Sequence, residues 1–416
     1  MTCIGRSFCL GLGFIALSAL AGCGEEPTPV PAARELKIVA NDGAAQDSFG
    51  ASVAISGDTA VVGAVFDDDL GMDSGSAYVF VRADDGSWSQ QAKLVAPDGQ
   101  EGDWFGIAVA ISDDTVIVGA ANAVENGVAT GAAHVFLRNG EDWQHEAKLV
   151  PSAGAADDQF GFAVALAGDV ALVGTPADDD VAMDAGAAYA FKRAGGSWTE
   201  QAKLVPMPGG AAGYFGAAVA LSNSTALVGA WDDGSGKGNG IAFVFATDGM
   251  SWTPQATLSA TDGANGDTFG YSVALSGDTA LVGAIGSDAA GADSGAAYVF
   301  IRNGSEWSQD VKLLPSDGTA GDAFGSSVSI WDDLATIGAY WDDDRGDFSG
   351  SAYAYAQKNG VWVEQAKHAP PDGIAGHKFG CAAALDGDLA VVGAYGDDDK
   401  GTESGSVYVF SVVESP

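Results

Sequence analysis

Short apolar segments alternate with Gly- and Asp-rich connections along most of the chain, and each segment has the length of a β-strand. In the first unit, residues 49–56 (FGASVAIS) and 59–66 (TAVVGAVF) are apolar runs separated by a Gly-Asp turn. The second run is almost continuously apolar, which is typical of a strand covered on both faces. Residues 76–82 (SAYVFVR) and 88–96 (WSQQAKLVA) complete the unit. The pattern predicts four short antiparallel strands and no helix.

The same unit occurs seven times. A Phe-Gly pair opens each unit, and the pairs recur every 54 to 56 residues, at Phe49, Phe105, Phe160, Phe215, Phe269, Phe324 and Phe379. A second Gly follows in every unit, from Gly63 to Gly393, and a third closes the next loop, from Gly75 to Gly405. A period of this size indicates a repeat architecture. We therefore predict an all-β fold, a seven-bladed β-propeller of four-stranded antiparallel blades over residues 36–413.

The two chain ends favour a closed ring. The seventh unit lacks a fourth strand, whereas residues 36–39 (LKIV) align with the fourth strand of the first unit at residues 93–95 (KLV). We expect the N-terminal strand to complete the last blade, so that one ladder of backbone hydrogen bonds joins the two ends. A solenoid would instead need a capping repeat at each end.

The N-terminus has the pattern of a targeting signal. Residues 1–22 contain one basic residue, Arg6, no acid, and an apolar run that is too short for a convincing membrane span. They end in Leu20-Ala21-Gly22 before Cys23, which resembles a bacterial lipoprotein signal in which Cys23 becomes the acylated N-terminus. An ordinary secretory signal with an incidental Cys is the alternative. Residues 23–35 are rich in Pro and Glu, and we interpret them as a tether.

This interpretation predicts the location of the protein. An acylated Cys23 implies a lipid-anchored protein of the bacterial cell envelope, and Gly24, in place of an Asp, favours the outer membrane. Without acylation of Cys23 the protein is expected to be secreted. Removal of residues 1–22 leaves only Cys23 and Cys381, so the sequence provides no disulfide framework.

The repeated motifs resemble a known family. Phe-Gly followed at a fixed distance by Gly-Ala, or by Gly-Thr-Pro at residues 174–176, resembles the FG-GAP repeat of integrin α-subunit propellers, and bacterial FG-GAP proteins more closely. The resemblance implies a propeller fold and a role in binding or adhesion. Integrin repeats carry calcium between their first two strands. Here that connection is only residues 56–59 (SGDT) and its equivalents, so we expect the integrin-type calcium site to be absent.

Charge narrows the range of partners. The chain has 56 acids against 18 Lys plus Arg, a formal net charge of −38. This charge excludes a nucleic-acid-binding protein and disfavours electrostatic docking on anionic lipid, so the only membrane contact we expect is the lipid anchor. Strand parity places the loops between second and third strands on the same face as the loops between blades. These loops hold more than half of the acids, and we call this side the acidic-loop face.

Several loops between second and third strands have the spacing of calcium ligands. Alternate carboxylates around a Gly turn can converge on one hard cation, which makes Ca²⁺ the candidate cofactor. The candidate ligands are Asp67, Asp69 and Asp73; Asp178, Asp180 and Asp184; Asp342 and Asp344, with Asp347 shifted by one; and Asp397, Asp399 and Glu403. Asp and Gly also form turns without any metal, and the spacing leaves both interpretations open. Five of the seven units have an acid two residues before the Phe, and there recurrence instead predicts a structural hydrogen bond: Asp47, Asp103, Asp158, Asp267 and Asp322.

Catalytic signals are nearly absent. The four His, at positions 134, 145, 368 and 377, look like drift within repeats, and neither H-E-x-x-H nor G-x-S-x-G occurs. We expect a monomeric, non-catalytic propeller that binds a protein or glycan ligand on the acidic-loop face. The alternatives are a propeller hydrolase or lyase acting on extracellular polysaccharide, and a structural scaffold of the envelope. An enzyme should show a cluster of non-repeat polar residues near the axis, and none is evident in the sequence.

Overall fold

Seven four-stranded antiparallel sheets make up the molecule. The structure is a computed structural model, and it describes residues 35–206, 213–232 and 237–413. Each sheet is one blade, and its strands follow one another in chain order from the first to the fourth, except where the N-terminal strand joins the last blade. The predicted all-β, seven-bladed propeller is confirmed.

The strands are numbered in chain order and grouped by their position in the blade. The first strands are β2 (Phe49–Ser56), β6 (Phe105–Ser112), β12 (Ala163–Ala167), β16 (Ala218–Ser222), β20 (Phe269–Ser276), β24 (Val328–Trp331) and β28 (Ala383–Asp386). The second strands are β3 (Thr59–Ala64), β7 (Thr115–Ala120), β13 (Val170–Thr175), β17 (Thr225–Ala230), β21 (Thr279–Ala284), β25 (Leu334–Ala339) and β29 (Leu389–Ala394). The third strands are β4 (Ser76–Arg82), β10 (Ala132–Asn139), β14 (Ala187–Ala194), β18 (Ile241–Thr247), β22 (Ala296–Asn303), β26 (Ser351–Lys358) and β30 (Ser406–Ser411). The fourth strands are β5 (Trp88–Leu94), β11 (Asp142–Leu149), β15 (Ser197–Leu204), β19 (Trp252–Leu258), β23 (Glu306–Leu313), β27 (Val361–His368) and β1 (Leu36–Ile38).

The N-terminal strand closes the ring as the sequence predicts. β1 pairs antiparallel with β30, and Lys37 lies opposite Tyr408. One small hairpin was not predicted from the sequence: β8 (Val124–Glu125) pairs with β9 (Val128–Ala129) in the loop between the second and third strands of blade 2.

The first strands surround the axis, and each contacts the first strands of both neighbouring blades. The hydrophobic core is divided into seven clusters, each packed between two adjacent blades. The second strands are buried along almost their whole length, which agrees with the continuous apolar runs in the sequence. Burial of these side chains between blades is the main force that holds the ring together.

The Phe-Gly pair joins each blade to the one before it. The Phe105 N–H donates to the carbonyl of Ser74 in blade 1 (3.0 Å), and Phe105 forms a β-bridge with Gly75. The Phe105 ring is fully buried in the cluster between blades 1 and 2. The adjoining Gly102 N–H donates to the Met72 carbonyl (2.9 Å), so the two types of loop do share one face.

Candidate functional site

Within the described ranges, the acidic loops of blades 1, 3, 6 and 7 are each built around a lysine of the fourth strand. In blade 1 the Lys93 ammonium lies 2.8 Å from Asp67, 2.6 Å from Asp69 and 2.9 Å from Asp42 of the inter-blade loop. Lys93 reaches them because it pairs with Tyr78 across β4 and β5, and the Tyr78 hydroxyl also donates to Asp67 (2.9 Å). Three carboxylates therefore share one ammonium group.

The same arrangement recurs in the blades for which the sequence predicts calcium ligands. Asp178 and Asp180 lie 2.7 and 2.5 Å from Lys203, and Asp342 and Asp344 lie 2.8 and 2.6 Å from Lys367. In blade 7 the lysine comes from the closing strand, because Lys37 contacts Asp397 and Asp399, both at 2.7 Å. The first acid of each loop is buried, and the second is more than half exposed.

The third predicted ligand of each loop takes part in the turn through its backbone. Asp73, Asp184 and Glu403 have φ between 50° and 55°, and their backbone N–H groups donate to Asp68, Asp179 and Asp398 at 2.7 to 2.8 Å. In blade 6, where Asp347 is shifted by one, Phe348 takes this position. These bonds are the turn chemistry that was the competing interpretation of the spacing.

Lysine and carboxylates stabilise each other's charged forms. Burial acts to lower the pKa of Lys93, but the hydrogen bonds to Asp67 and Asp69 outweigh it and raise that pKa above its ordinary value. At Asp42 burial acts to raise the pKa, but the Lys93 ammonium outweighs burial and lowers that pKa. The pKa values of Lys37, Lys203 and Lys367 are raised in the same way, so each cluster has a permanent cation at its centre.

The carboxylates suit a hard cation in kind, but the lysine occupies their centre. Within the described ranges, one group of three carboxylates has ligand oxygens that all lie within 4.8 Å of one another: Asp372, Asp397 and Asp399. Lys37 Nζ lies 2.7 to 2.8 Å from each of the three. A calcium ion on these oxygens would have to displace the ammonium. The structure thus places the first two predicted ligands of each of these loops around a lysine, and calcium binding stays a prediction.

A second set of acids supports the inter-blade loops. Each of these residues lies two positions before the Phe and accepts the backbone N–H of the residue three positions earlier, at 2.6 to 2.9 Å: Asp47, Asp103, Asp158, Asp267 and Asp322. Burial raises the pKa of Asp47 to about 6. Their recurrence correctly predicted a structural hydrogen bond.

The non-repeat feature of the acidic-loop face is a group of aromatic rings near the axis. Tyr271 follows Phe269-Gly270 on a first strand, and Trp231, Tyr340 and Tyr395 each follow the end of a second strand. First strands begin and second strands end at this face, so these positions surround the mouth of the axis. We call the following residues of blades 4 to 7 the aromatic arc: Tyr214, Trp231, Tyr271, Tyr340, Trp341, Phe348 and Tyr395.

Ring contacts join six of these residues in two groups of three. Tyr214 meets Trp231 edge-on at 5.1 Å between centroids, and Trp231 stacks on Tyr271 at 5.6 Å and 26°. Tyr340 meets Trp341 at 5.0 Å, and Trp341 meets Phe348 at 6.2 Å. In blades 1 to 3 the two equivalent axial positions contain no Tyr or Trp: they are Ala51, Ile107 and Phe162, and Val65, Ala121 and Pro176.

The phenol groups of the arc are close enough to affect one another. Burial raises the pKa of Tyr271 and of Tyr340, the two hydroxyls interact, and Tyr395 raises both pKa values further. The Lys378 ammonium lies 4.4 Å from the centroid of the Tyr395 ring. The arc therefore presents ring faces and neutral hydroxyl groups at neutral pH, on a face that is otherwise strongly acidic.

A family model agrees with this architecture. The FG-GAP repeat matches seven times, at residues 33–80, 88–136, 143–191, 198–245, 252–300, 307–355 and 362–410. The chain belongs to the FG-GAP repeat family. Comparison with curated proteins gives no match. The seven FG-GAP repeats follow the blades in chain order but are offset by one strand. Each match covers the fourth strand of one blade and then the first, second and third strands of the next blade.

Other sequence predictions have different outcomes. Cys23, the predicted lipidation site, and residues 1–34 lie outside the described part of the FG-GAP propeller. Within the described ranges, no helix has the length and apolar character of a membrane span. The sequence reading missed the central lysines, although Lys recurs five residues after the Trp of the fourth strand. It also missed the arc, because its axial aromatics are spread over four repeats and two strand positions, after the Phe-Gly pair and after the second strand.

Proposed function

We propose that this FG-GAP propeller is a non-catalytic binding or adhesion protein that engages its ligand at the aromatic arc on the acidic-loop face. The observation that supports this proposal best is the break in symmetry. Seven similar blades give the two innermost positions similar surroundings, yet Tyr and Trp occupy them only in blades 4 to 7. Trp341 and Phe348, further along the arc, are more than a third exposed.

The chemistry of the arc favours binding over catalysis. Aromatic faces provide large, rigid contact areas for apolar side chains of a protein or for the C–H faces of a sugar, and the hydroxyl groups add hydrogen bonds. Because burial raises the pKa of Tyr271 and Tyr340, these phenols are not suited to act as bases at neutral pH. The surrounding acids give the face a negative potential that favours ligands without a large negative charge.

We also propose that Cys23 anchors the propeller to a bacterial envelope membrane through lipid. The signal-like sequence of residues 1–22 supports this part of the proposal. A Cys23→Ser variant of the full chain should leave the membrane fraction and melt at the same temperature as the native protein, because Cys23 lies thirteen residues before the first strand residue Leu36. A variant that stays in the membrane fraction after a salt wash would contradict lipid anchoring.

A screen of glycan and protein arrays tests the binding function directly. The full chain is applied to the arrays in the presence of calcium, and again with a chelator. Reproducible, saturable binding to an array ligand would support a binding role. Loss of that binding in the presence of the chelator would support calcium dependence. Turnover of an extracellular polysaccharide by the same preparation, without saturable binding, would instead support the enzyme alternative.

A further inference from the structure

Two histidines of blade 2 form a pair that no other blade has. His134 on β10 and His145 on β11 are neighbours on the same side of the sheet, and His134 Nδ1 lies 3.1 Å from His145 Nε2. At the first position five other blades have Tyr and one has Phe; at the second, blades 1 and 5 have Gln, and blades 3 and 6 have Glu. Blade 2 therefore departs from the repeat at both positions, and the two side chains are neighbours in space.

The surroundings keep both imidazoles neutral. His134 is fully buried with its ring edge-on to Phe105 at 5.6 Å, whereas His145 is exposed and its ring lies 5.3 Å from Phe136. Burial lowers the pKa of His134 to about 4, and His145 and Lys148 lower it further, while Asp98 opposes the change. Burial likewise lowers the pKa of His145.

The second nitrogen of His134 supports an interpretation beyond a simple hydrogen bond. Among the described residues, the buried His134 Nε2 has no hydrogen-bond partner. The Asp98 carboxylate lies 3.9 Å from it and is itself held by Lys148 at 2.7 Å. A histidine that binds a metal through one ring nitrogen commonly directs the other N–H to a carboxylate, and Asp98 is in position for that contact after a small shift. Glu125, 2.9 Å from Lys148, further offsets the lysine charge.

The distance between the two facing nitrogens suits a shared metal ion. Zn–N bonds of about 2.0–2.1 Å in tetrahedral geometry separate two ligand nitrogens by about 3.3 Å, close to the observed 3.1 Å. We propose that His134 Nδ1 and His145 Nε2 bind one borderline transition-metal ion such as Zn²⁺ or Cu²⁺, with Asp98 as the outer carboxylate partner of His134. Water completes the coordination on the exposed His145 side. Imidazole ligands favour these ions over Ca²⁺ and Mg²⁺, which the acidic loops would prefer.

The repeats themselves supply variants that should fold. His134→Tyr and His145→Gln restore the residues that blades 1 and 5 have at these positions. His377→Asp is the matched control, because it removes a histidine of blade 7 in favour of the residue found there in five other blades. The native full chain and each variant are titrated with Zn²⁺ by calorimetry in millimolar Mg²⁺, which occupies the exposed carboxylates. The His134→Tyr/His145→Gln double variant keeps every Cys, Asp and Glu of the native chain. Zn²⁺ binding at those residues is therefore the same in both proteins and cancels in the comparison.

The native chain and the His377→Asp control should show a saturable Zn²⁺ phase that the double variant lacks. The single His145→Gln variant should bind more than about tenfold more weakly, since even outer partners of a ligating histidine contribute that much. Native protein with Cu²⁺ should show nitrogen coupling in its electron paramagnetic resonance spectrum. Equal Zn²⁺ binding by native and double-variant proteins of equal melting temperature would overturn the proposal, as would a Cu²⁺ spectrum without nitrogen coupling.

Discussion

At the scale of single residues, the ring depends on glycines that touch the next blade. Gly75 has a φ of 80°, and a Cβ atom there would overlap the backbone of Phe105. Gly86 has almost the same φ, 82°, but lies in the turn between β4 and β5, where a Cβ would meet nothing within 4 Å. These two glycines separate the effect of a close approach between blades from the effect of a left-handed backbone.

Replacement of Gly75 by Ala should be far more harmful than replacement of Gly86. Gly75→Ala should lower the free energy of unfolding by about 3 kcal/mol or more, since overpacking adds to backbone strain. Gly86→Ala should lower it by about 1–2 kcal/mol, because only the strain remains. Denaturant unfolding of both variants measures the difference. Equal losses would show that the contact between Gly75 and Phe105 is unimportant.

At the scale of elements, the fourth strand fixes the acidic loop through its lysine. Lys93 contacts the buried Asp67 and exposed Asp69. In blade 5 the equivalent lysine, Lys312, has a hydroxyl in place of the buried acid, because it contacts Ser287 at 3.2 Å and the half-exposed Asp262 at 2.8 Å. The chain thus offers the same lysine with and without a buried carboxylate partner.

Removal of the ammonium should matter most where the acid is buried. Lys93→Met should lower the free energy of unfolding by about 3 kcal/mol, because Asp67 is left as an uncompensated buried charge. Lys312→Met should lower it by less than about 1 kcal/mol, since its acid is exposed to water. Adding Asp67→Asn to Lys93→Met should recover part of the loss. Thermal or denaturant unfolding measures these changes, and equal effects at Lys93 and Lys312 would contradict the role given to Asp67.

The same variant tests the calcium hypothesis. At fixed ionic strength, millimolar Ca²⁺ should raise the melting temperature of Lys93→Met more than that of the native chain, because Asp42, Asp67 and Asp69 are then free to bind the ion. Mg²⁺ should do less, since it demands a tighter octahedral shell. A calcium-specific increase of the same size in the native chain would show that the lysine does not compete with calcium.

The sequence predicted the elements well and their side-chain partners poorly. Residues 49–56 and 76–82 form strands with the predicted bounds, because the Phe-Gly pair and the Gly closing each loop constrain the backbone in every repeat. Lys93 was not recognised as the partner of Asp67. The two are 26 residues apart, and their contact depends on which side of β5 faces the loop. The spacing of residues along the chain identified the acids of the loop, but it did not identify the lysine that lies among them.

At the scale of the whole molecule, the charge of −38 opposes compaction, and two sets of acids respond to pH in opposite ways. Burial raises the pKa of Asp47 to about 6, and the pKa values of Asp103, Asp158, Asp267 and Asp322 are also raised by burial. Burial also acts to raise the pKa of a second set of acids, but there a lysine outweighs it and the pKa is lowered: Asp42, Asp98, Asp317 and Asp372.

The five acids with raised pKa values outnumber His134 and His145, whose lowered pKa values favour higher pH, so the melting temperature should pass through a maximum between about pH 4 and pH 6. An acid whose pKa is higher in the folded state takes up protons on folding, so stability rises as pH falls from 7 towards the unfolded value of 3.8. Below 3.8 the lysine-paired acids become protonated, and their contribution is lost. Asp47→Asn should flatten the rise between pH 7 and pH 5, whereas Asp84→Asn, in an exposed turn, should not. A steady loss of stability from pH 7 downwards would contradict this assignment.

The binding surface is a property of the whole ring. Trp231, Tyr271 and Tyr340 come from three different blades and two different strand positions, so no local pattern in the sequence brings them together. The repeats nevertheless suggest how to remove them without disturbing the fold. Trp231→Ile, Tyr271→Ser and Tyr340→Val each install a residue that another blade has at the same position. Phe66→Asn is the control, because it removes an exposed aromatic from blade 1 at the same face in favour of the residue of blade 2.

Array binding by the triple variant, measured beside the native chain and Phe66→Asn, is the most direct test of the proposed function. The three proteins are applied to the same glycan and protein arrays after their melting temperatures have been compared. We expect the native chain and Phe66→Asn to bind the same ligands, and the triple variant to lose them while remaining folded. Undiminished binding by a folded triple variant would contradict the aromatic arc as the binding site.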